Sequence, residues 1–178
     1  VTGVMDDKMP TAYEETWFQA DGPGNGSQAA NMWTYSNSSI DGVVLDVSVT
    51  PAGGGEVDSS SDVGITYTGI DGLTIGVATG TDSGGTVDVD NSTRYITYAY
   101  DAFTFGYQSN AMDSGTAGAD EEFMAFGVSY AVNDDLSISY GYSELDYEGT
   151  TVTTDTTQEA SAISVSYTMG SMAIAATR

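Results

Sequence analysis

Carboxylates are the only side chains in this sequence that are abundant enough to determine its chemistry. The chain has 26 Asp and Glu residues against three Lys and Arg residues, and it has no His and no Cys. Imidazole bases, thiol nucleophiles, disulfides and the common zinc sites are therefore excluded. No nucleophile-elbow or phosphate-loop motif is present, so we predict that the protein is not an enzyme. The formal net charge of −23 disfavours nucleic acid as a partner and attracts cations into any cleft that the chain encloses.

Two acidic segments have the oxygen ligands that Ca²⁺ prefers, namely Asp88-Val89-Asp90-Asn91 and Asp120-Glu121-Glu122. Ca²⁺ accepts such ligands in flexible geometries. Neither segment has the spacing of an EF-hand loop or of a calcium-binding repeat. Solvated acidic loops are therefore the favoured interpretation, and loop-bound Ca²⁺ is the alternative. No other cofactor is expected.

The elements that position these acids are strands, because apolar and small polar residues alternate with a period of two from Met32 onward. Phe103, Phe105 and Tyr107, for example, are separated by Thr104, Gly106 and Gln108. This pattern is typical of half-buried β-strands. It recurs in the segments 43–50, 63–68, 73–78, 124–130, 136–143, 162–167 and 172–175.

The polar face of these strands indicates what surrounds the sheet. It carries Ser, Thr, Gly and Ala, whereas a strand face in contact with bulk water usually carries many charged residues. No segment has helical periodicity, so no helix is available to cover the apolar face. The sequence also has no run of about 20 apolar residues, the length that a membrane helix needs. We therefore predict an all-β, antiparallel up-and-down transmembrane β-barrel, whose apolar face contacts lipid and whose polar face encloses water.

Connections of two lengths alternate along the chain. The short ones, rich in residues that tolerate positive φ, lie at 39–42, 69–72, 101–102, 133–135 and 169–171. The long, acidic ones lie at 51–62, 80–91, 110–122 and 145–159. We expect the short connections to be periplasmic turns and the long ones to be extracellular loops.

Aromatic residues lie near the predicted strand ends, where rings often form girdles at the membrane interface. Ordinary strand propensity is the alternative explanation. These residues are Trp33, Tyr35, Tyr67, Tyr98, Tyr100, Tyr107, Tyr130, Tyr142 and Tyr167.

Residues 123–142 resemble a hairpin of the general diffusion porins of Gram-negative bacteria. An aromatic and aliphatic strand leads to the turn Asn133-Asp134-Asp135, and a second strand follows and ends in Tyr142. The resemblance extends over nearly the whole chain. It implies a homotrimer of sixteen-stranded barrels in the outer membrane, in contact with lipid and lipopolysaccharide. Such a barrel lets small hydrophilic solutes and ions diffuse passively.

The resemblance also implies two regions. Residues 1–30 lack strand alternation and resemble the third extracellular loop, which folds into the pore and constricts it, while residues 31–178 form the barrel hairpins. The ten strands would then be the sixth to the fifteenth of sixteen, in a central to C-terminal fragment. A solvated acidic loop is the alternative for the candidate constriction acids, and a cation preference is expected if they do line the pore. They are Asp6, Asp7, Glu14, Glu15 and Asp21.

Two further charged residues have candidate roles. Asp46 is the only carboxylate that the pattern places inside a strand, on the lumen face, where it either lines the pore or has a structural hydrogen bond. Arg94 shares its face with Ile96 and Tyr98, so it either contacts lipopolysaccharide phosphate or anchors the strand at the interface.

The main rival is an acidic secreted or cell-surface β-protein, such as a surface-layer or adhesin domain, with a structural or binding role. Its apolar strand faces would pack against each other in a dry core, whereas those of a pore would face lipid.

Overall fold

The computed structural model describes residues 2–13, 32–52, 59–84, 87–115, 119–149 and 155–178. These residues form one helical turn, α1, at Thr2–Met5, followed by strands only. The strands are β1 Trp33–Ile40, β2 Val43–Thr50, β3 Ser59–Ile70, β4 Leu73–Gly84, β5 Val87–Tyr100, β6 Phe103–Asp113, β7 Glu121–Ala131, β8 Leu136–Tyr147, β9 Thr156–Met169 and β10 Met172–Thr177.

The strands form one 10-stranded antiparallel sheet in sequence order, from β1 to β10. Each strand pairs with its neighbours in the chain, so the sheet is an up-and-down meander. The all-β, up-and-down fold class and the ten strands predicted from Met32 onward are confirmed. No helix among the described residues has the length and apolar character that a membrane crossing needs.

The two faces of the sheet differ in composition and in exposure. We call the face against which residues 2–13 lie the inner face, and the opposite one the outer face. Large apolar side chains are exposed on the outer face, whereas small polar ones are buried on the inner face, the reverse of a soluble protein. The exposed set includes Val49, Ile65, Val77, Ile96, Phe105, Tyr107, Phe126, Ile138 and Ile163, and the buried set includes Ser48, Asp62, Thr93, Gln108, Asn110, Ser139 and Ser164.

Short turns close the hairpins at one end of the sheet, which we call the turn end. Gly42 and Gly72 have φ values of 70° and 72° at the second turn position. Asp101 and Gly170, at the first position of their turns, have φ values of 54° and 62°. These are left-handed conformations that glycine adopts at low cost and that Asp tolerates better than most residues.

The connections at the other end, the loop end, are shorter than the sequence predicted. Strand pairing continues from Gly80 opposite Asn91 to Gly84 opposite Val87, so most of the predicted loop 80–91 belongs to β4 and β5. The end of β4 has no apolar residue, and in β5 the apolar Val87 and Val89 lie on the inner face while Asp88 and Asp90 lie on the outer one. The apolar outer row that indicates a strand elsewhere is therefore missing there, although backbone pairing continues. The predicted loops at 51–62, 110–122 and 145–159 likewise lose residues to strands.

Aromatic rings lie on the outer face near the turn end. Tyr98 and Tyr100 are exposed there, and the Phe103 and Tyr130 rings stack across β6 and β7 with centroids 4.5 Å apart. Trp33 and Tyr35, towards the loop end of β1, are also exposed. The interfacial role of these rings stays a prediction.

Candidate functional site

Residues 2–13, which we call the N-terminal segment, cross the inner face of the sheet. The segment begins with α1, which contacts β3, β4 and β5. Val4 and Met5 are buried there and pack with Ala78 and Tyr95. An apolar contact therefore anchors the start of the segment on an otherwise polar surface.

Gln108 holds the middle of the segment through backbone hydrogen bonds. Its Oε1 accepts from the Lys8 backbone N–H at 2.8 Å, and its Nε2 donates to the Asp6 carbonyl at 3.1 Å. The same Nε2 donates to Asn110 Oδ1 at 3.1 Å, and the Thr93 hydroxyl donates to that oxygen too. The Gln108 side chain is 1% exposed, and its amide gives the Lys8 N–H and the Asp6 carbonyl their hydrogen-bond partners.

A row of glycines makes room for Met9 and Pro10. Gly106 pairs with Gly127, which pairs with Gly141 on β8. A Cβ atom at Gly106 would lie 2.5 Å from Pro10 Cδ, and one at Gly127 would lie 3.1 Å from the Pro10 carbonyl oxygen. Because these glycines have no side chains, the segment can lie directly on the sheet.

Beside this glycine row, Met9 packs into a small apolar cluster on the inner face. Its buried partners are Phe123, Ala125 and Leu145. These inner-face residues are apolar, unlike most of that face, and they lie where the segment covers the sheet.

The far end of the segment is held by serine hydroxyls of β8 and β9. The Ala12 backbone N–H donates to Ser139 Oγ at 2.9 Å, and Thr11 Oγ1 lies 3.3 Å from Ser164 Oγ. The two serine hydroxyls are 2.7 Å apart. The segment therefore spans the inner face from β3 to β9.

The charged groups of the segment differ in their exposure. Asp6 is exposed, and its Oδ1 accepts from the Asp7 backbone N–H at 2.9 Å. Asp7 is half-buried, and its Oδ1 accepts from the Met9 N–H at 2.9 Å. Lys8 Nζ lies 5.8 Å from the centroid of the Tyr95 ring. The segment thus presents the Asp6 carboxylate openly, while Asp7 also stabilises the turn of the chain.

The other predicted site residues are Asp46, which the structure describes, and three acids that it does not describe. Asp46 is half-buried on the inner face of β2, opposite Ser36 and Gly64. Glu14, Glu15 and Asp21 lie outside the described residues.

Asp62 is an inner-face carboxylate that the sequence pattern missed. It lies in β3 with 6% exposure and accepts a hydrogen bond from Ser48 Oγ at 2.8 Å. The prediction that Asp46 is the only carboxylate within a strand is therefore wrong. The signal that could have identified Asp62 is its parity with Gly64 and Thr66, because residues two apart in a strand share a face.

The loop end of β6 to β9 is strongly acidic. A cavity of about 520 Å³ lies there, lined by carboxylates with little positive charge nearby. The described residues contain no group of three or more His, Cys, Asp or Glu side chains placed to hold a metal ion. The acids around this cavity, which we call the acidic mouth, are Asp113, Asp120, Glu121, Glu122, Asp146, Glu148 and Asp155.

The two acidic segments that we interpreted as solvated loops, with bound Ca²⁺ as the alternative, belong largely to strands. Residues 88–90 and Asn91 lie within β5, and Glu121 and Glu122 begin β7. Asp120 Oδ1 accepts from the Ser114 backbone N–H at 2.9 Å. Arg94 is exposed on the outer face of β5, beside a groove of about 280 Å³ that Glu122 and Glu144 also line.

Comparison with known proteins gives one family. The model of the family described as Gram-negative porin matches residues 2–177, which include the N-terminal segment and every strand of the sheet. A search of the curated proteins found no match.

Proposed function

We propose that this chain, which belongs to the Gram-negative porin family, forms a cation-preferring pore that residues 1–30 narrow. Gram-negative porins are channels of the outer membrane, so the chain is an outer-membrane transport protein that crosses the bilayer with β-strands. Its family indicates a non-enzymatic channel for small solutes.

The observation that carries the proposal is the docking of the N-terminal segment on the inner face. A segment that crosses the lumen side of a barrel wall reduces the open cross-section, and its side chains then meet every solute that passes. Gln108, the glycine row and the Ser139–Ser164 pair hold this segment along its length.

Charge supports the cation preference. The exposed Asp6, the half-buried Asp7 and Asp46, and the acidic mouth all carry negative charge. A cleft lined by one sign of charge raises the local concentration of the opposite ion. Glu14, Glu15 and Asp21, in the rest of residues 1–30, are the further candidates for the constriction.

We extend the proposal to a homotrimer that contacts lipopolysaccharide. The support for the trimer of sixteen-stranded barrels is the resemblance of the hairpins to general diffusion porins. The support for lipopolysaccharide is Arg94, an exposed cation on the outer face, since guanidinium groups bind phosphate in bidentate geometry.

Ion selectivity in planar bilayers tests the proposal. We expect the wild-type protein to give cation-selective openings in a KCl gradient. The double variant Asp6→Asn and Asp7→Asn is expected to lower the cation-to-anion permeability ratio roughly twofold at 0.1 M KCl, with a smaller effect at 1 M because salt screens the charges.

A matched control is the double variant Asp134→Asn and Asp135→Asn. It removes the same charge from the exposed turn between β7 and β8, at the turn end of the sheet. Equal selectivity changes in the two double variants would contradict a constriction role for Asp6 and Asp7. A protein that stays in buffer without detergent and gives no conductance would instead support a cell-surface β-protein.

A further inference from the structure

A groove of about 280 Å³ lies on the outer face of β5 to β8, on the side of the loop end. Because the side chains of β6 are short there, this strand forms the floor between a strand with a cation and two strands with carboxylates. We call this feature the charged groove. Its lining includes Arg94 on β5, Ser109 and Ala111 on β6, Glu122 on β7 and Glu144 on β8.

Strand register gives the order of the charged groups across the groove. One cross-strand row on the outer face runs from Arg94 to Ser109, Met124 and Glu144. Adjacent strands lie roughly 4.8 Å apart, so the Cα atoms of Arg94 and Glu144 are about 14 Å apart along this row. Glu122, on β7, lies one row closer to the loop end. The guanidinium and the two carboxylates therefore belong to opposite walls of one groove.

A tyrosine of the same strand holds the Glu144 carboxylate in place. The Tyr142 hydroxyl lies 2.9 Å from Glu144 Oε2 and 2.9 Å from Glu159 Oε1. Glu159 lies directly opposite Glu144 on β9. A hydroxyl has one hydrogen, so it donates to one of these carboxylates at a time. Negative charge is thus concentrated on the β8 side of the groove, whereas Arg94 is the only basic residue in β5 to β9.

Rows of exposed apolar side chains continue the groove towards the turn end. The adjoining row places Tyr107 between Ile96 and Phe126, and all three are exposed. The row after it contains Tyr98 and Phe105, which are exposed as well. In a membrane strand such rows contact hydrocarbon, and polar side chains begin where the headgroups begin. The charged groove therefore lies at the level of lipid headgroups.

The charges of the groove restrict what it can bind. A phosphate group fits Arg94, since guanidinium groups bind phosphate through two parallel hydrogen bonds. A phosphate without a positive charge of its own would also meet Glu122 and Glu144, whose carboxylates repel it. A phosphate that carries an ammonium group on a short linker avoids this repulsion, because its anion lies at one wall and its cation at the other.

We propose that the charged groove binds a phosphoethanolamine group of lipopolysaccharide, with the phosphate at Arg94 and the ammonium at Glu122 and Glu144. The inference rests on the proposed contact with lipopolysaccharide and names the chemical group that is recognised. Lipopolysaccharide is the source to which we commit, because the groove lies towards the loop end, which we expect to be extracellular. Acyl chains below the bound group would then lie over the row that contains Tyr107.

Titration of the purified protein in non-ionic detergent with two preparations of lipopolysaccharide tests the proposal. One preparation carries ethanolamine on its phosphates, and the other, otherwise identical, does not. EDTA is present throughout, so that divalent cations cannot bridge the phosphates to the carboxylates. Isothermal calorimetry should give a dissociation constant about fivefold lower for the ethanolamine-bearing preparation, the effect of one well-placed ion pair at a surface.

Variants separate the contributions of the two walls. Arg94→Gln should weaken the binding of both preparations about fivefold, because both have the phosphate that its guanidinium pairs with. The double variant Glu122→Gln and Glu144→Gln should abolish the difference between the preparations, because it removes the charges that the ammonium contacts. Its new amide oxygen at position 144 can still accept from the Tyr142 hydroxyl.

A matched control is Arg178→Gln, which removes the same charge from an exposed residue that does not line the groove. It should leave both affinities unchanged. Equal losses of affinity in Arg94→Gln and Arg178→Gln would overturn the proposal, because the attraction would then be diffuse.

Two outcomes for the wild-type protein would also overturn the proposal, and they differ in what else they affect. Equal binding of the two preparations would refute the recognition of ethanolamine and leave the proposed lipopolysaccharide contact intact. Absence of binding by either preparation would refute both. Ion selectivity in planar bilayers is measured separately, so neither outcome bears on the pore.

Discussion

Gln108 is the side chain on which the position of the N-terminal segment most depends. It is fully buried and bonds two backbone groups of the segment, 100 and 102 positions away in sequence. It also bonds Asn110 on its own strand. Removing the amide takes the partners away from a part-buried N–H and a part-buried carbonyl, which adds a desolvation cost to the loss of the hydrogen bonds.

We predict that Gln108→Leu destabilises the protein by about 1–3 kcal/mol, since the part-buried Lys8 N–H and Asp6 carbonyl lose their partners. The variant should also conduct more ions per channel, because the segment is no longer held against the wall. Urea unfolding in detergent and single-channel recordings measure the two effects. Gln158→Leu, at an exposed position of β9, is the control that should change neither quantity. An unchanged conductance in Gln108→Leu would show that Gln108 does not hold the N-terminal segment in place.

The positions and contacts of single residues could be predicted from the sequence only in part. Parity placed Asp46 on the inner face and Arg94 on the outer face, as the structure does. The bonds of Gln108 and Ser139 to the N-terminal segment could not be predicted, because that segment is more than 95 positions away and has no periodicity of its own. Asp62 was missed because Ser and Asp are as common in loops as on the polar face of a strand.

Strand ends were the least predictable elements. Alternation in segments such as 103–108 located the strands, since apolar and polar residues there face different surroundings. Beyond Gly80, β4 has no apolar residue, and before Asn91 the apolar residues of β5, Val87 and Val89, lie on the inner face. Backbone pairing continues there without the apolar outer row that marks the rest of each strand, so the strands extend past the point where the sequence could indicate them.

Two glycines in the short turns allow a matched test of what a turn requires. Gly72 and Gly170 both have positive φ, 72° and 62°. A Cβ atom at Gly72 would collide with the Ala99 carbonyl oxygen, whereas at Gly170 nothing lies within 4 Å. An alanine at either position would have to adopt a left-handed conformation, but only at position 72 would its methyl group also clash with a neighbouring strand.

We predict that Gly170→Ala costs about 1 kcal/mol, the penalty of a left-handed conformation for a residue with a side chain. Gly72→Ala should cost a further 1–3 kcal/mol, because the methyl group forces the backbone of the neighbouring hairpin to move. The free energies of unfolding of the two variants give the comparison. Equal losses of unfolding free energy in the two variants would show that the turn at Gly72 relaxes, so that its contact with the Ala99 carbonyl oxygen is unimportant.

The described sheet is inverted relative to a soluble protein, because its outer face has rows of exposed apolar side chains and its inner face has rows of buried polar ones. Ile65 is 45% exposed near the middle of β3, and Thr66, the next residue, lies on the inner face opposite Val44 and Gly76. In a bilayer Ile65 contacts hydrocarbon, whereas Thr66 faces the lumen.

We predict that Ile65→Arg destabilises the protein in lipid vesicles by about 2–4 kcal/mol, the cost of a charge at the lipid face near the midplane. Thr66→Arg should cost much less, because its charge remains hydrated in the lumen. Folding into vesicles, followed by denaturant titration, measures both. A larger loss for Thr66→Arg would reverse the assignment of the two faces.

The uninterrupted order of the strands, from β1 to β10, has a consequence for how the sheet forms. Within the sheet that the structure describes, each pairing joins strands that follow one another in the chain, and none of these pairings needs a crossover. Each hairpin can add to the edge left by the one before it, so growth proceeds by short loop closures with a low entropic barrier. Such a wall can lengthen one hairpin at a time while it enters the bilayer.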